Sequence, residues 1–194
     1  MNLTNDYYYL KTLARKVRVE HGLTTPRVTE DDLQRIYSKE GIEVDFWPYR
    51  LKHLRGAFFY DDLGASVMVA ASLPQDPKVF TMAHELKHFL TDKNLGISYC
   101  DQSNVGKSLE IGAEIFAAEL LLPDKFFVEY MEKIKVKRGQ CDPNALVRLK
   151  IDTRTTLSYA GLAIKAEQLR YAPPKSLTKT KGWRKLEDAY RQRR

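Results

Sequence analysis

The sequence predicts a mostly helical α+β fold in which a small antiparallel sheet packs on one central helix. Three observations predict it. Apolar residues recur at helical spacing on both sides of residues 42–70, while inside that stretch short runs alternate as strands do. Asp61-Asp62-Leu63-Gly64 separates two of these runs with residues suited to a hairpin turn. The segment that follows carries a continuous apolar face, built to be buried.

The elements follow in order. Leu10, Leu13, Ala14 and Val17 predict an amphipathic helix over residues 6–20, broken by Gly22 and Pro26. Thr29-Glu30-Asp31-Asp32 reads as a capping-box start for a second helix, which carries Leu33, Ile36 and Tyr37 and stops at Gly41. Residues 42–46 alternate as a strand, and residues 56–60 and 65–70 flank the hairpin turn. A helix is expected over about 77–92. Residues 92–108, rich in Asn, Gly, Ser and Asp, read as a loop. Further helices are expected from about Leu109 to Pro123, from Asp124 onward, and from Asp142-Pro143 to about Ala172 with a break near residues 152–155. Pro173-Pro174 marks a boundary, giving one domain over 1–172 and a tail over 173–194.

Composition narrows the classes. No run approaches the roughly 18 apolar residues that cross a bilayer. The first residues lack the basic-then-apolar order of a signal peptide, and Cys100 and Cys141 are too few for a disulfide framework or a cysteine-based zinc knuckle. A reducing cytoplasm is the expected location. Of the net charge of +7, most sits in residues 171–194, where eight Lys/Arg face only Glu187 and Asp188. The body is nearly neutral, so the overall basicity is weak evidence for a nucleic-acid footprint, which needs basic residues on a folded face.

The chemistry concentrates in His84-Glu85-Leu86-Lys87-His88. Only four histidines occur in 194 residues, and two of them fall four apart on an expected helix. At about 100° per residue both imidazoles share a face and can bind one metal ion. Glu85 lies only about 60° round from His88, so its carboxylate can take a proton from a metal-activated water. Val79, Met82, Ala83, Leu86, Phe89 and Leu90 fall on the opposite arc. Lys87 is expected to point away from the metal as an ordinary charge.

Catalytic zinc takes three protein ligands and keeps a position open. His21 and His53 lie in segments of uncertain placement. Glu110 is the better candidate, at the start of the helix after the loop, where Ala113 and Ala117 would let that helix come close. An exposed glutamate complementing the helix dipole is the plainer alternative. Glu114, one turn on, could accept a hydrogen bond from a ligand imidazole and fix its tautomer. Direct metal binding and a solvated charge stay open for it.

Residues 80–90, Phe80-Thr81-Met82-Ala83-His84-Glu85-Leu86-Lys87-His88-Phe89-Leu90, and residues 110–123, from Glu110-Ile111-Gly112-Ala113-Glu114 to Leu121-Leu122-Pro123, resemble the two motifs of the ImmA/IrrE family of metallopeptidases. The second family motif resembles E-x-x-A-N-x-F-A-x-x-L-L-x-P. The resemblance implies a gluzincin-like minimal protease fold over roughly residues 1–170. It implies Zn2+, with Mn2+ as a second option, bound by His84, His88 and Glu110, with Glu85 as the catalytic base. The family usually has Gly where Lys87 stands and Asn where Glu114 stands. The resemblance further implies a protein substrate, a helix-turn-helix repressor whose cleavage relieves repression of mobile-element or stress genes.

Rival readings are a general peptidase acting on short peptides and a non-proteolytic binding module with a structural metal. Glu85 argues against the module, because a structural site has no use for a base beside its metal. The strand at residues 65–70 could receive an extended substrate by β-augmentation, or lie inside the sheet. Tyr99, in the loop, is a candidate donor to the reaction's oxyanion. In the tail, Trp183, Leu186 and Tyr190 at helical spacing allow a helix docked on an acidic partner, a nucleic-acid contact or a solvated extension.

Overall fold

The computed structural model describes residues 3–48, 54–93, 98–100 and 108–193. The chain forms two compact units, residues 1–121 and 122–194.

The first unit begins with α1 (Leu3–Glu20) and α2 (Glu30–Glu40). α2 starts as its sequence requires. The Thr29 hydroxyl accepts the Asp32 N–H, the Asp32 carboxylate accepts the Thr29 N–H at 2.9 Å, and Gly41 closes the helix at φ +70°. Next come β1 (Ile42–Trp47), β2 (Gly56–Asp61), β3 (Gly64–Ala70), α3 (Gln75–Asp92), β4 (Ser98–Cys100) and α4 (Ser108–Leu121). The β2–β3 hairpin turns where expected: Asp61 pairs with Gly64, and the Asp61 carboxylate caps the Leu63 N–H at 2.8 Å.

The sheet has the order β1-β3-β2-β4 and is mixed. β1 runs parallel to β3, whereas β2 is antiparallel to both β3 and β4. The wholly antiparallel pairing expected from sequence therefore fails at β1, whose only strand neighbour among the described residues is β3, on the same heading. β3 has a neighbour along each edge, so its backbone has no free side for an added strand. Three residues of the stretch expected to be loop throughout form the edge strand β4.

α3 is the hub of the first unit, in contact with the sheet, α2 and α4. Val79, Met82, Ala83 and Leu86 are fully buried, as are Leu33 and Tyr37 of α2 and Phe58 of β2. The Tyr37 hydroxyl donates to the Met82 carbonyl at 2.6 Å, so even the polar end of this core side chain is satisfied.

α4 in turn packs along α1. There the fully buried Glu119 receives Arg15 Nε at 2.8 Å and faces Lys11 Nζ at 3.9 Å, while Arg18 donates to the Leu120 carbonyl. Burial pulls the Arg18 guanidinium down to about 10, against the opposing charges of Glu119 and Asp32. Removing one partner of such a buried network strands the others. Glu119→Ala is expected to lower stability by about 3 kcal/mol, read from the midpoint of chemical denaturation.

The second unit contains α5 (Asp124–Lys133), α6 (Pro143–Thr153), α7 (Tyr159–Gln168) and α8 (Trp183–Gln192). Asp142 caps α6 by accepting the Ala145 N–H at 2.8 Å with Pro143 in the first turn, as expected, and Arg154 ends the helix at φ +54°. Part of the basic tail is no free extension. Trp183 stacks on Tyr159 with centroids 4.8 Å apart, and Glu187 accepts the Tyr159 hydroxyl at 2.8 Å. The cationic side chains Arg184, Lys185 and Arg191 remain exposed. No helix among the described residues is long and apolar enough to cross a membrane.

Candidate metal centre

α3 brings His84 and His88 to the same side, their ring centroids 5.2 Å apart. Both are buried, His88 completely. Glu110 stands in the first turn of α4, with Ala113 and Ala117 fully buried behind it. Small residues there let the two helices approach. His84 Nε2 lies 3.2 Å from Glu110 Oε2, and His88 Nε2 lies 3.6 Å from Glu110 Oε1. One donor atom from each of the three residues can be chosen so that all lie within 4.8 Å of one another.

These separations suit a shared ion. A tetrahedral centre with bonds of about 2.0–2.1 Å places its ligand atoms about 3.3 Å apart, between the two measured spacings. The donor set, two imidazoles and a carboxylate, is that of a catalytic rather than a closed structural zinc site.

Glu85 is fully buried on α3 between the two histidines in sequence. Its carboxylate has room because β2 begins with a glycine. A Cβ on Gly56 would stand 2.6 Å from Glu85 Oε1 and 2.5 Å from Thr81 Cγ2. Strand backbone thus lies directly against the carboxylate, a contact only glycine permits.

Two expectations are corrected at this site. Glu114 is exposed, and Asp92 rather than Glu114 meets the far nitrogen of His88, with Nδ1 to Oδ2 at 2.7 Å. The reason is proximity: Asp92 is one helical turn beyond His88 on the same helix, whereas Glu114 sits a turn past Glu110 on another. Lys87 does not face solvent. It is buried, with Nζ 2.6 Å from Asp92 Oδ2 and 3.1 Å from the Leu109 carbonyl oxygen.

Burial pushes the Asp92 carboxyl up. Hydrogen bonds from His88 and Lys87 and the charge of Lys87 outweigh that and hold it below the ordinary carboxylate range. The spacing His84, His88, Asp92, each four residues on, was the sequence signal for Asp92. Gly56 and Lys87 had no local signal. Of the other candidates, His21 faces Glu40 at 3.2 Å, away from this cluster, while His53 and the Tyr99 side chain lie outside the described residues.

The sequence profile of the Peptidase M78 family, described as an IrrE N-terminal-like domain, matches residues 38–166. The chain belongs to this family. Membership makes it a metallopeptidase, and the H-E-x-x-H pentapeptide on α3 is of the type that fits the M78 family. The matched span runs from the end of α2 through both site helices and reaches α7; α1 and α8 fall outside it. No curated protein matches this M78 chain.

Proposed function

We infer that this M78 peptidase is a zinc-dependent endopeptidase whose ion is held by His84, His88 and Glu110 and whose base is Glu85. The observation that carries the reading is the convergence of two imidazoles and a carboxylate from adjacent helices, with a second, buried carboxylate on the same helix as the imidazoles. A bound divalent cation supplies Lewis acidity, polarising the scissile carbonyl and making water a better nucleophile at neutral pH. Two nitrogen donors favour zinc over the harder manganese ion.

Glu85 accepts the proton of the attacking water and delivers it to the leaving amine nitrogen. Asp92 holds His88 with its proton on Nδ1, which leaves the lone pair of Nε2 directed toward Glu110. Gly56 keeps strand atoms from displacing the Glu85 carboxylate. Gly56→Ala is therefore expected to cut turnover by about 100-fold while metal affinity stays at its original value. Steady-state kinetics beside a metal-competition titration check it.

The substrate of this reading is a helix-turn-helix repressor in the cytoplasm, supported by the likeness of residues 80–90 and 110–123 to ImmA/IrrE motifs. The test is direct. The purified chain is incubated with zinc or manganese and with repressors encoded beside its gene, and products are read by mass spectrometry. One cut at a single site in one repressor, absent with chelator, is the expected result. Cleavage of unrelated short peptides at comparable kcat/KM, with the repressors intact, overturns the substrate assignment.

A further inference from the structure

We propose that Lys87 is a positioning residue of the metal centre, a cationic tie that holds the carboxylate behind His88 to the backbone that carries Glu110. The inference rests on the metal site proposed above and assigns it a part not contained in the three ligands and the base.

The geometry is specific. Asp92 Oδ2 is shared: it meets His88 Nδ1 at 2.7 Å and Lys87 Nζ at 2.6 Å. Its other oxygen, Oδ1, accepts the Thr91 hydroxyl at 3.0 Å. Lys87 Nζ then reaches across to α4 and donates to the carbonyl of Leu109, the residue immediately before Glu110. One ammonium therefore links the partner of one metal-binding side chain to the main chain of another. An ammonium suits the task because it has three donors and no acceptor.

α4 is shaped around this side chain. Gly112, three residues after Leu109, lies under the lysine stem. A Cβ there would come 3.5 Å from Lys87 Cε, 3.6 Å from its Nζ and 3.1 Å from Leu10 Cδ1. Added bulk would crowd α1 on one side and the lysine on the other.

Stability alone is a poor explanation for the arrangement. Lys87 and Asp92 are 3% and 7% exposed, and a buried ion pair is often no more stabilising than apolar side chains of the same volume. What the pair supplies that apolar side chains cannot is direction. The acceptor on His88 Nδ1 is kept in one orientation, and the first turn of α4 is drawn toward the end of α3. Both histidine-facing oxygens of Glu110 then sit at fixed distances from the two Nε2 atoms.

The test measures metal affinity and coordination, not activity. Wild type, Lys87→Met, Asp92→Asn, the double variant and His88→Ala are titrated with Zn2+ against a chromophoric chelator, and with Co2+ by visible absorption. Circular dichroism of each apo protein checks the fold. Lys87→Met is expected to weaken Zn2+ binding by about 10- to 100-fold and to change the Co2+ spectrum, with the apo spectrum unchanged. Asp92→Asn should weaken binding by a similar factor, and the double variant by much less than the product of the two, because both act through one contact.

If Lys87→Met does not fold, Lys87→Gln, which keeps a donor of shorter reach, is measured the same way with the same expectation. Wild-type affinity and an unchanged Co2+ spectrum in a folded Lys87 variant overturn the proposal, and so does a double variant whose loss is the full product. His88→Ala separates the two levels. Lost binding in that variant with normal binding in Lys87→Met sinks only the role of the lysine, whereas normal binding in His88→Ala sinks the metal site with it.

Discussion

Replacing Glu85 with glutamine is expected to lower kcat about 10³-fold while Zn2+ affinity remains that of the parent protein. The amide has the shape of the carboxylate and cannot accept the water proton, so chemistry is lost and the site is kept. The burial of Glu85 on α3 means that no bulk water replaces it as base. Glu85→Asp retains the acid but draws it back by about 1 Å, and a displacement of that size costs about 100-fold. Single-turnover cleavage with a parallel metal titration separates the two cases. Cleavage by Glu85→Gln at the parent rate would remove Glu85 from the mechanism.

Removing the ion should be as severe and should also soften the fold. At free metal about 1,000 times the dissociation constant, binding contributes about 4 kcal/mol to the folded state. For a chain of this size that is a rise in Tm of about 8–16 °C. A chelator should erase both the activity and the rise. His88→Ala should gain nothing from added Zn2+, since it loses a donor that lies 3.6 Å from Glu110 Oε1. Differential scanning with and without metal checks this. A variant that still gains the full shift would show that His88 is no ligand.

Local patterns carried most of what the sequence revealed. The Thr29 cap, the Gly41 stop, the hairpin turn and the α3 helix each depend on residues within about four positions, and all form as expected. The nearness of Glu110 to the two histidines was legible because the alanines behind it predict close helix packing.

The misses are non-local. The direction of β1 depends on pairing with β3, more than twenty residues on. Lys87 looks like a surface charge until Leu109 and Gly112 of another helix are brought beside it. Gly56 looks like an ordinary strand start until α3 is laid across it. Asp92 is different in kind: its four-residue spacing from His88 was there to be read, and Glu114 took its place because it stands one turn after Glu110.

α1 lies before the matched span, yet it grips the reverse side of the helix that presents Glu110, through Arg15 and Arg18. An excised piece trimmed to residues 38–166 would keep His84, Glu85, His88 and Glu110 and forfeit the brace behind the helix that carries Glu110. Anyone shortening this enzyme for structural or screening work should retain the first twenty residues, because the boundary drawn by shared ancestry is narrower than the boundary drawn by mechanics.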